Sequence, residues 1–268
     1  MKLDFINRNV LILGSSQGIG YGVAEKLANN GANVCLVGRN AEKLKHALLQ
    51  INQGIDNTQK SKNIYVQCDL SEKGAARYIH EQVLNEWDGI DSLVLNAGGP
   101  PFVDSVTNVT IDEWHTAFQS LFLTQVSLVN NCLNYMKQQK FGRIVSISST
   151  SITEPLHGLV ISGAIRSALA AWLKSLAVEV GKYGINAVTA IIGKVDTDRI
   201  KNLDEKRAVT MGCSLDTIKK NNHANIPLGR YGSVDEVAAT ILFLLSQESS
   251  YITGSSIAID GGVSKRYV

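Results

Sequence analysis

Four short apolar runs, each followed by a stretch of helical periodicity, fill the first third of the chain and leave few folds open. Val10–Leu13 (VLIL) ends at Gly14, Asn33–Val37 (NVCLV) at Gly38, Ile64–Gln67 (IYVQ) at Cys68, and Ser92–Leu95 (SLVL) at Asn96. Runs this short, with no polar alternation, are the pattern of strands buried on both faces of a parallel sheet. Between them, YGVAEKLANNG closes on Gly31, AEKLKHALLQI places Leu44, Leu48 and Ile51 on one side, and Lys73–Asn85 reads as a third helix. Strand and helix in strict turn predict a doubly wound α/β sheet.

The remainder continues the pattern. Ile111–Lys140 reads as one long helix, with Trp114, Phe118, Leu121, Phe122, Leu128, Cys132 and Met136 near helical spacing. Arg143–Ser146 is a fifth strand, ended by Ser148 and Ser149, and Ser162–Tyr183 a second long helix with Leu169, Trp172, Leu173, Leu176 and Val180 on its apolar stripe. Asn186–Ile191 is a sixth strand, residues 193–225 a charged insertion with helical fragments, and Ser233-Val234-Asp235-Glu236 a capping box. Ser256–Ile259 is a seventh strand, turned by Asp260-Gly261-Gly262. No repeat, low-complexity tract or linker interrupts the 268 residues, so one domain over 1–268 is expected.

Composition narrows the function classes. A net charge of +2 offers no electrostatic case for a nucleic-acid partner or a membrane surface. No run approaches the roughly 18 apolar residues of a spanning helix. The N-terminus, MKLDFINRNV, carries Asp4 and has no apolar core, so no signal peptide is expected. Cys35, Cys68, Cys132 and Cys213 are scattered, without a C-x-x-C pair. They read as reduced thiols of a cytoplasmic protein, with no metal site.

The loop Gly14–Gly20, GSSQGIG, carries the clearest chemical signal. Its glycines permit a tight turn and close approach of backbone amides to a pyrophosphate, and the following helix adds its N-terminal dipole. In open α/β sheets ligands bind beyond the carboxyl ends of the strands, where the strand order reverses. The spacing G-x-x-x-G-x-G is joined, in order, by Cys68-Asp69-Leu70, Asn96-Ala97-Gly98, Ile192-Gly193 through Thr197, Tyr251-Ile252-Thr253-Gly254 and Asp260-Gly261-Gly262. Together these resemble the short-chain dehydrogenase/reductase family over nearly the whole chain. GGPP, TDRI and IPLGRYG place it nearest to divergent 3-oxoacyl-acyl-carrier-protein reductase-like members. Leu13, Leu95 and Ile192 depart from that family's Thr, Asn and Pro.

The resemblance implies a single Rossmann-type domain, a seven-stranded parallel sheet of order 3-2-1-4-5-6-7 with helices on both faces. It implies a homotetramer assembled through the two long helices, with residues 193–225 resembling a substrate lid. It implies a cofactor site of Gly14, Ser16, Gly18, Ile19, Gly20, Arg39, Asp69, Leu70, Asn96, Ala97, Gly98, Arg166, Gly193 and Thr197. Where NAD binders place an acid at the end of the second strand, this chain has Gly38 followed by Arg39. A guanidinium there suits a 2′-phosphate, which favours NADP(H) over NAD(H).

Catalysis is less legible. The family uses a Tyr phenol with a Lys four residues on, a Ser that polarises the substrate oxygen, and an Asn that holds a water. By position these fall on Ser162, Arg166, Ser149 and Leu121. An aliphatic hydroxyl is a poor general acid near neutrality, and Arg166 can hold the nicotinamide ribose but cannot release a proton. Ser162 could equally be a helix cap, and Arg166 a salt-bridged or exposed helix residue. His157 and Tyr231 are other candidate donors, and Lys194 and Arg199 are cations beside the nicotinamide-side loop. The expected function is an NADP(H)-dependent oxidoreductase acting on a carbonyl/alcohol pair, such as the 3-oxoacyl thioesters of fatty acid metabolism, with a degenerate tetrad. The alternative is a nucleotide-binding sensor or scaffold that does not turn over.

Overall fold

The computed structural model describes residues 3–55, 61–103 and 105–265. Met1-Lys2 of the N-terminal reading and Arg266–Val268 of the 1–268 span lie outside the described residues. Seven strands, β1 (Asn9–Leu13), β2 (Asn33–Gly38), β3 (Ile64–Gln67), β4 (Ser92–Leu95), β5 (Gly142–Ser149), β6 (Ile185–Ile192) and β7 (Ser256–Ile259), form one parallel sheet of order β3-β2-β1-β4-β5-β6-β7.

Successive residues of a strand point to opposite faces, and β1 divides accordingly. Val10 and Ile12 pack into one layer with α1 (Gly18–Asn29) and α2 (Ala41–Gly54), through Val23, Leu27, Leu44 and Ile51. Leu11 and Leu13 pack into the other layer, with Ile79 and Val83 of α3 (Ala75–Leu84). The unbroken apolar runs of the sequence follow from this two-sided burial.

Ile111–Lys140 is not one regular helix. It comprises α4 (Ile111–Phe118), a π turn (Gln119–Leu123) and α5 (Thr124–Gln139). The wider turn shifts the side-chain phase, which apolar spacing alone does not register. Its open carbonyls are answered locally: Gln125 Nε2 donates to Leu121 O at 2.9 Å and to Ser120 O at 3.3 Å. Thr124 Oγ1 donates to Leu70 O at 2.8 Å and ties the turn to the loop after β3.

β5 ends at Ser148 and Ser149 as the sequence places it. Ile147, Ser148 and Ser149 pair with Ala190, Ile191 and Ile192 of β6, so the serine segment stands on the sheet itself. Behind it, α6 (Val160–Val180) packs Leu169 and Leu173 into the second layer. Residues 193–225 fold into α7 (Asp198–Met211) and α8 (Leu215–Ala224). α9 (Val234–Leu245) opens on the expected capping box, Ser233 with Glu236, and packs Ile241 and Leu245 into the first layer. Among the described residues no helix is long and apolar enough to cross a membrane. The carboxyl ends of β1, β4, β5 and β6 adjoin one another, which gathers the Gly14 loop, Asn96, Ser149 and Gly193 at one edge of the sheet.

Candidate active site

The three loop glycines do different work. Gly14 sits at φ +59°, and a Cβ there would overlap the carbonyl oxygen of Asn96. A Cβ on Gly20 would overlap Gly14 O. These two let the loop close against β4, and Asn96 Nδ2 completes the closure by donating to Gly14 O at 3.1 Å. Gly18, at φ +61°, faces outward, and the nearest atom to a Cβ there would be Thr197 Cγ2 at 3.7 Å. Gly18 also opens α1, whose N-cap residue Gln17 offers no side-chain hydrogen bond. The free helical N–H groups of this N-terminus lie on the side of Thr197, an arrangement that suits the diphosphate of a dinucleotide.

Ser15 staples β1 to β2, its hydroxyl donating to Ile12 O and accepting from Val37 N. Ser16 lies beside Gly38 at the end of β2, and Ile19 is half-buried against the first layer. Arg39 is exposed just past β2. Asp69 accepts from the N–H and hydroxyl of Ser71 at 2.9 and 2.8 Å. Burial pushes its carboxyl up, but the Ser71 bonds and the Arg39 charge outweigh that and hold it below the ordinary value. The Arg39 field thus reaches the loop of Asp69 and Leu70. Gly98 is exposed, and a Cβ there would meet nothing within 4 Å. Gly193 lies against the backbone of Asp260, and its N–H donates to Ile259 O at 3.0 Å. Thr197 caps α7, its hydroxyl accepting from Ile200 N, which leaves its methyl facing Gly18.

Ser149 ends β5. Its Oγ accepts from Ser151 N at 3.2 Å, so its own proton remains to donate. Neighbouring Ser148 differs: its Oγ is buried without a hydrogen-bond partner among the described residues.

Ser162 is not a helix cap. Leu159 holds the N-cap position, and Ser162 lies inside the first turn of α6. Its Oγ accepts from Arg166 Nε at 3.1 Å. Arg166 is neither exposed nor salt-bridged. It is 9% exposed, with Nη1 donating to Ile147 O at 2.7 Å and Nη2 to Ala97 O at 2.8 Å. Burial, and next the charge of Arg199, pull its guanidinium down to about 10, so it stays cationic at neutrality. The two positions hold a hydroxyl on a guanidinium clamp, in which no group titrates near pH 7. Leu121 is fully buried in the π turn and packs with Ala97, Ile161 and Ile165.

The other candidate donors are placed elsewhere. His157 lies against Phe102 with the rings tilted at 60° and centroids 5.5 Å apart, at a cavity of about 480 Å³ lined by Val160, Gly163, Ala164 and Ser167. By helical spacing that is the face of α6 opposite Ser162 and Arg166. Tyr231 is locked inside the lid: its OH donates to Asp204 Oδ2 at 2.6 Å and accepts from Asn222 Nδ2 at 2.6 Å. Burial, and then the bond to Asp204, push its phenol well above the ordinary value. Lys194 turns into the same network, donating to Asn222 Oδ1, with burial pulling its amine down to about 8. Arg199 behaves differently: its Nη2 donates to Pro100 O at 3.1 Å, over the loop that follows Gly98. Sequence spacing carries no signal for the Asp204–Asn222–Tyr231 network, nor for the bracing of the π turn by Gln125.

Comparison with known proteins agrees with this geometry. A family model described as enoyl-(acyl carrier protein) reductase matches residues 14–264. The chain is 31% identical over 264 residues to the 3-oxoacyl-[acyl-carrier-protein] reductase FabG of Aquifex aeolicus, covering 98% of this chain and 100% of the relative. It is 27% identical over 259 residues to the NADPH-dependent reductase BacG of Bacillus subtilis, covering 96% and 98%. The crystal structure of L-sorbose reductase from Gluconobacter frateurii, complexed with NADPH and L-sorbose, superposes with a TM-score of 0.91 at 25% identity, covering 100% of both chains.

The glycines should separate folding from binding. Gly14→Ala forces a Cβ into Asn96 O and is expected to cost about 3 kcal/mol or more in chemical denaturation. Gly18→Ala is expected to cost about 1 kcal/mol yet to weaken NADPH, measured by fluorescence titration, by at least about tenfold, because its methyl fills the cradle. Unimpaired NADPH binding in folded Gly18→Ala would count against the site.

Proposed function

The chain belongs to the short-chain dehydrogenase/reductase family, and on that premise we propose that it is an NADP(H)-dependent oxidoreductase that reduces a carbonyl to an alcohol, with 3-oxoacyl thioesters as the first substrate class to test. The observation that carries this reading is the uncapped start of α1 facing Thr197 across Gly18, with the free hydroxyl proton of Ser149 at the neighbouring strand end. The bound NADPH would supply the hydride.

The chain's own residues would do the rest. Gly18 and the N–H groups of α1 hold the diphosphate, and Arg39 pairs with the 2′-phosphate. Ser149 donates a hydrogen bond to the substrate oxygen, and the fixed Arg166 cation favours negative charge as it develops there. Ser162 Oγ accepts from Arg166 Nε, which leaves its proton free to point at the same oxygen. Neither group titrates near neutrality, so in this reading the proton that completes the alcohol comes from water. The names of the relatives, an acyl-carrier-protein reductase and an NADPH-dependent reductase, support the choice of substrate class and cofactor.

A second reading, binding without turnover, draws on the same clamp, since Ser162 and Arg166 are already engaged with each other, Ile147 and Ala97. For assembly we propose the homotetramer typical of the family, built on the faces of α4–α6 that expose Phe118, Leu123 and Val178.

NADPH consumption over a panel of 3-oxoacyl thioesters, ketones and quinones tests the activity. At least one is expected to oxidise NADPH, with Ser149→Ala lowering kcat/KM about 100-fold and Arg39→Ala weakening NADPH, but not NADH, by about tenfold. NADPH binding without oxidation by any of them would favour the second reading. Light scattering is expected to give four times the chain mass, and a monomer would exclude the assembly.

A further inference from the structure

Among the described residues, two cations adjoin the loop after β4 without a carboxylate partner. Arg166 is clamped by carbonyls as described, and Arg199 lies on the first turn of α7 with its guanidinium over Gly99, where a Cβ would come within 2.6 Å of Nη2. Among the described residues neither lies within 4 Å of an acid, and exposed Asp196 and Asp198 beside it leave Arg199 unpaired. The two guanidinia meet the same loop three residues apart, Arg166 Nη2 at Ala97 O and Arg199 Nη2 at Pro100 O. Of the five N–H donors of Arg199, only one bond, from Nη2 to Pro100 O, is engaged. A planar fork with free donors beside a second fixed positive charge is a receptor for a carboxylate.

The cofactor's own phosphates are a competing source of negative charge, and the placement argues against them. The glycine loop meets the lid at Thr197, through Gly18, whereas Arg199 turns to Gly99 and Pro100, beyond the Asn96-Ala97-Gly98 segment. Lys194, the other cation of this segment, is held inside the lid by Asn222. Among the described residues Arg199 is therefore a cation without an acid partner on the Gly99-Pro100 side of the cleft.

We infer that Arg199 is a specificity-determining residue that receives a carboxylate carried by the substrate close to its reacting carbonyl, with Arg166 as the second positive charge of the same cleft. This rests on the oxidoreductase reading and narrows its substrates to oxo acids. Arg199 holds the acid end of the substrate, and Ser149 meets the carbonyl.

Acetoacetate and ethyl acetoacetate present the same ketone with and without the charge, and NADPH oxidation with each reads the preference. Wild type is expected to favour the acid in kcat/KM. Arg199→Gln should cut the acid-over-ester ratio about 10- to 100-fold through KM, and Arg199→Lys should recover part of it. NADPH affinity, measured by fluorescence titration, should stay within about twofold in both variants. Equal kcat/KM for acid and ester in wild type would overturn the proposal. So would an Arg199→Gln variant that loses NADPH affinity instead, since the charge would then serve the cofactor. If neither compound oxidises NADPH, this ketone is not a substrate, the wider panel alone decides the oxidoreductase reading, and calorimetry of acetoacetate against the NADPH complex decides the anion site. Heat that disappears in Arg199→Gln supports it, and no heat with wild type overturns it.

Discussion

The cleft depends on the buried guanidinium of Arg166. Three of its donors reach three separate pieces of the chain: Ala97 in the loop after β4, Ile147 on β5, and Ser162 one turn back on α6. A lysine, with a single ammonium, could not span Ala97 O and Ile147 O with the same fixed fork. Burying a cation without an acid is costly, and here carbonyl and hydroxyl oxygens offset part of that cost. The consequences are coupled. The cation positions the loop after β4, holds the hydroxyl of Ser162, and adds a charge that neutral pH does not remove.

Around that clamp the fold supplies the remaining geometry. The order β3-β2-β1-β4 puts the Gly14 loop beside Asn96, and the two lock together through Gly14 O. The lid approaches from β6, held by the buried network of Asp204, Asn222, Tyr231 and Lys194. That network fixes the start of α7, so that Thr197 faces Gly18 while Arg199 faces Pro100. One helical turn thereby turns Thr197 toward the glycine loop and Arg199 toward the loop after β4.

The sheet was legible because its strands are buried on both faces: Val10–Leu13 and Asn33–Val37 are apolar along their length and pack into both layers. The end of β5 was legible too, at Ser148 and Ser149, through which its ladder with β6 continues. The π turn at Gln119–Leu123 escaped because one wider turn hardly disturbs an apolar stripe. Ser162 read as a possible cap because the polar loop ends near it, but the helix begins at Val160. The glycine loop was recognisable as a motif, yet only the coordinates separate Gly14 and Gly20, which close the loop, from Gly18, which opens it. Lys194 and Arg199 look alike in sequence as cations of one segment. Partners distant in sequence turn one into the lid and leave the other at the cleft.

Arg166 holds the hydroxyl of Ser162, and we propose that the two stand where a titrating phenol–amine pair would serve this fold. The pH dependence of kcat/KM for one ketone, in wild type and in Ser162→Tyr with Arg166→Lys, tests it most directly. The account predicts a slow wild type with no limb attributable to this pair between about pH 6 and 9. The double variant should gain about 100-fold or more and acquire such a limb. A wild type that already shows the limb, and loses rate on the double substitution, would contradict it.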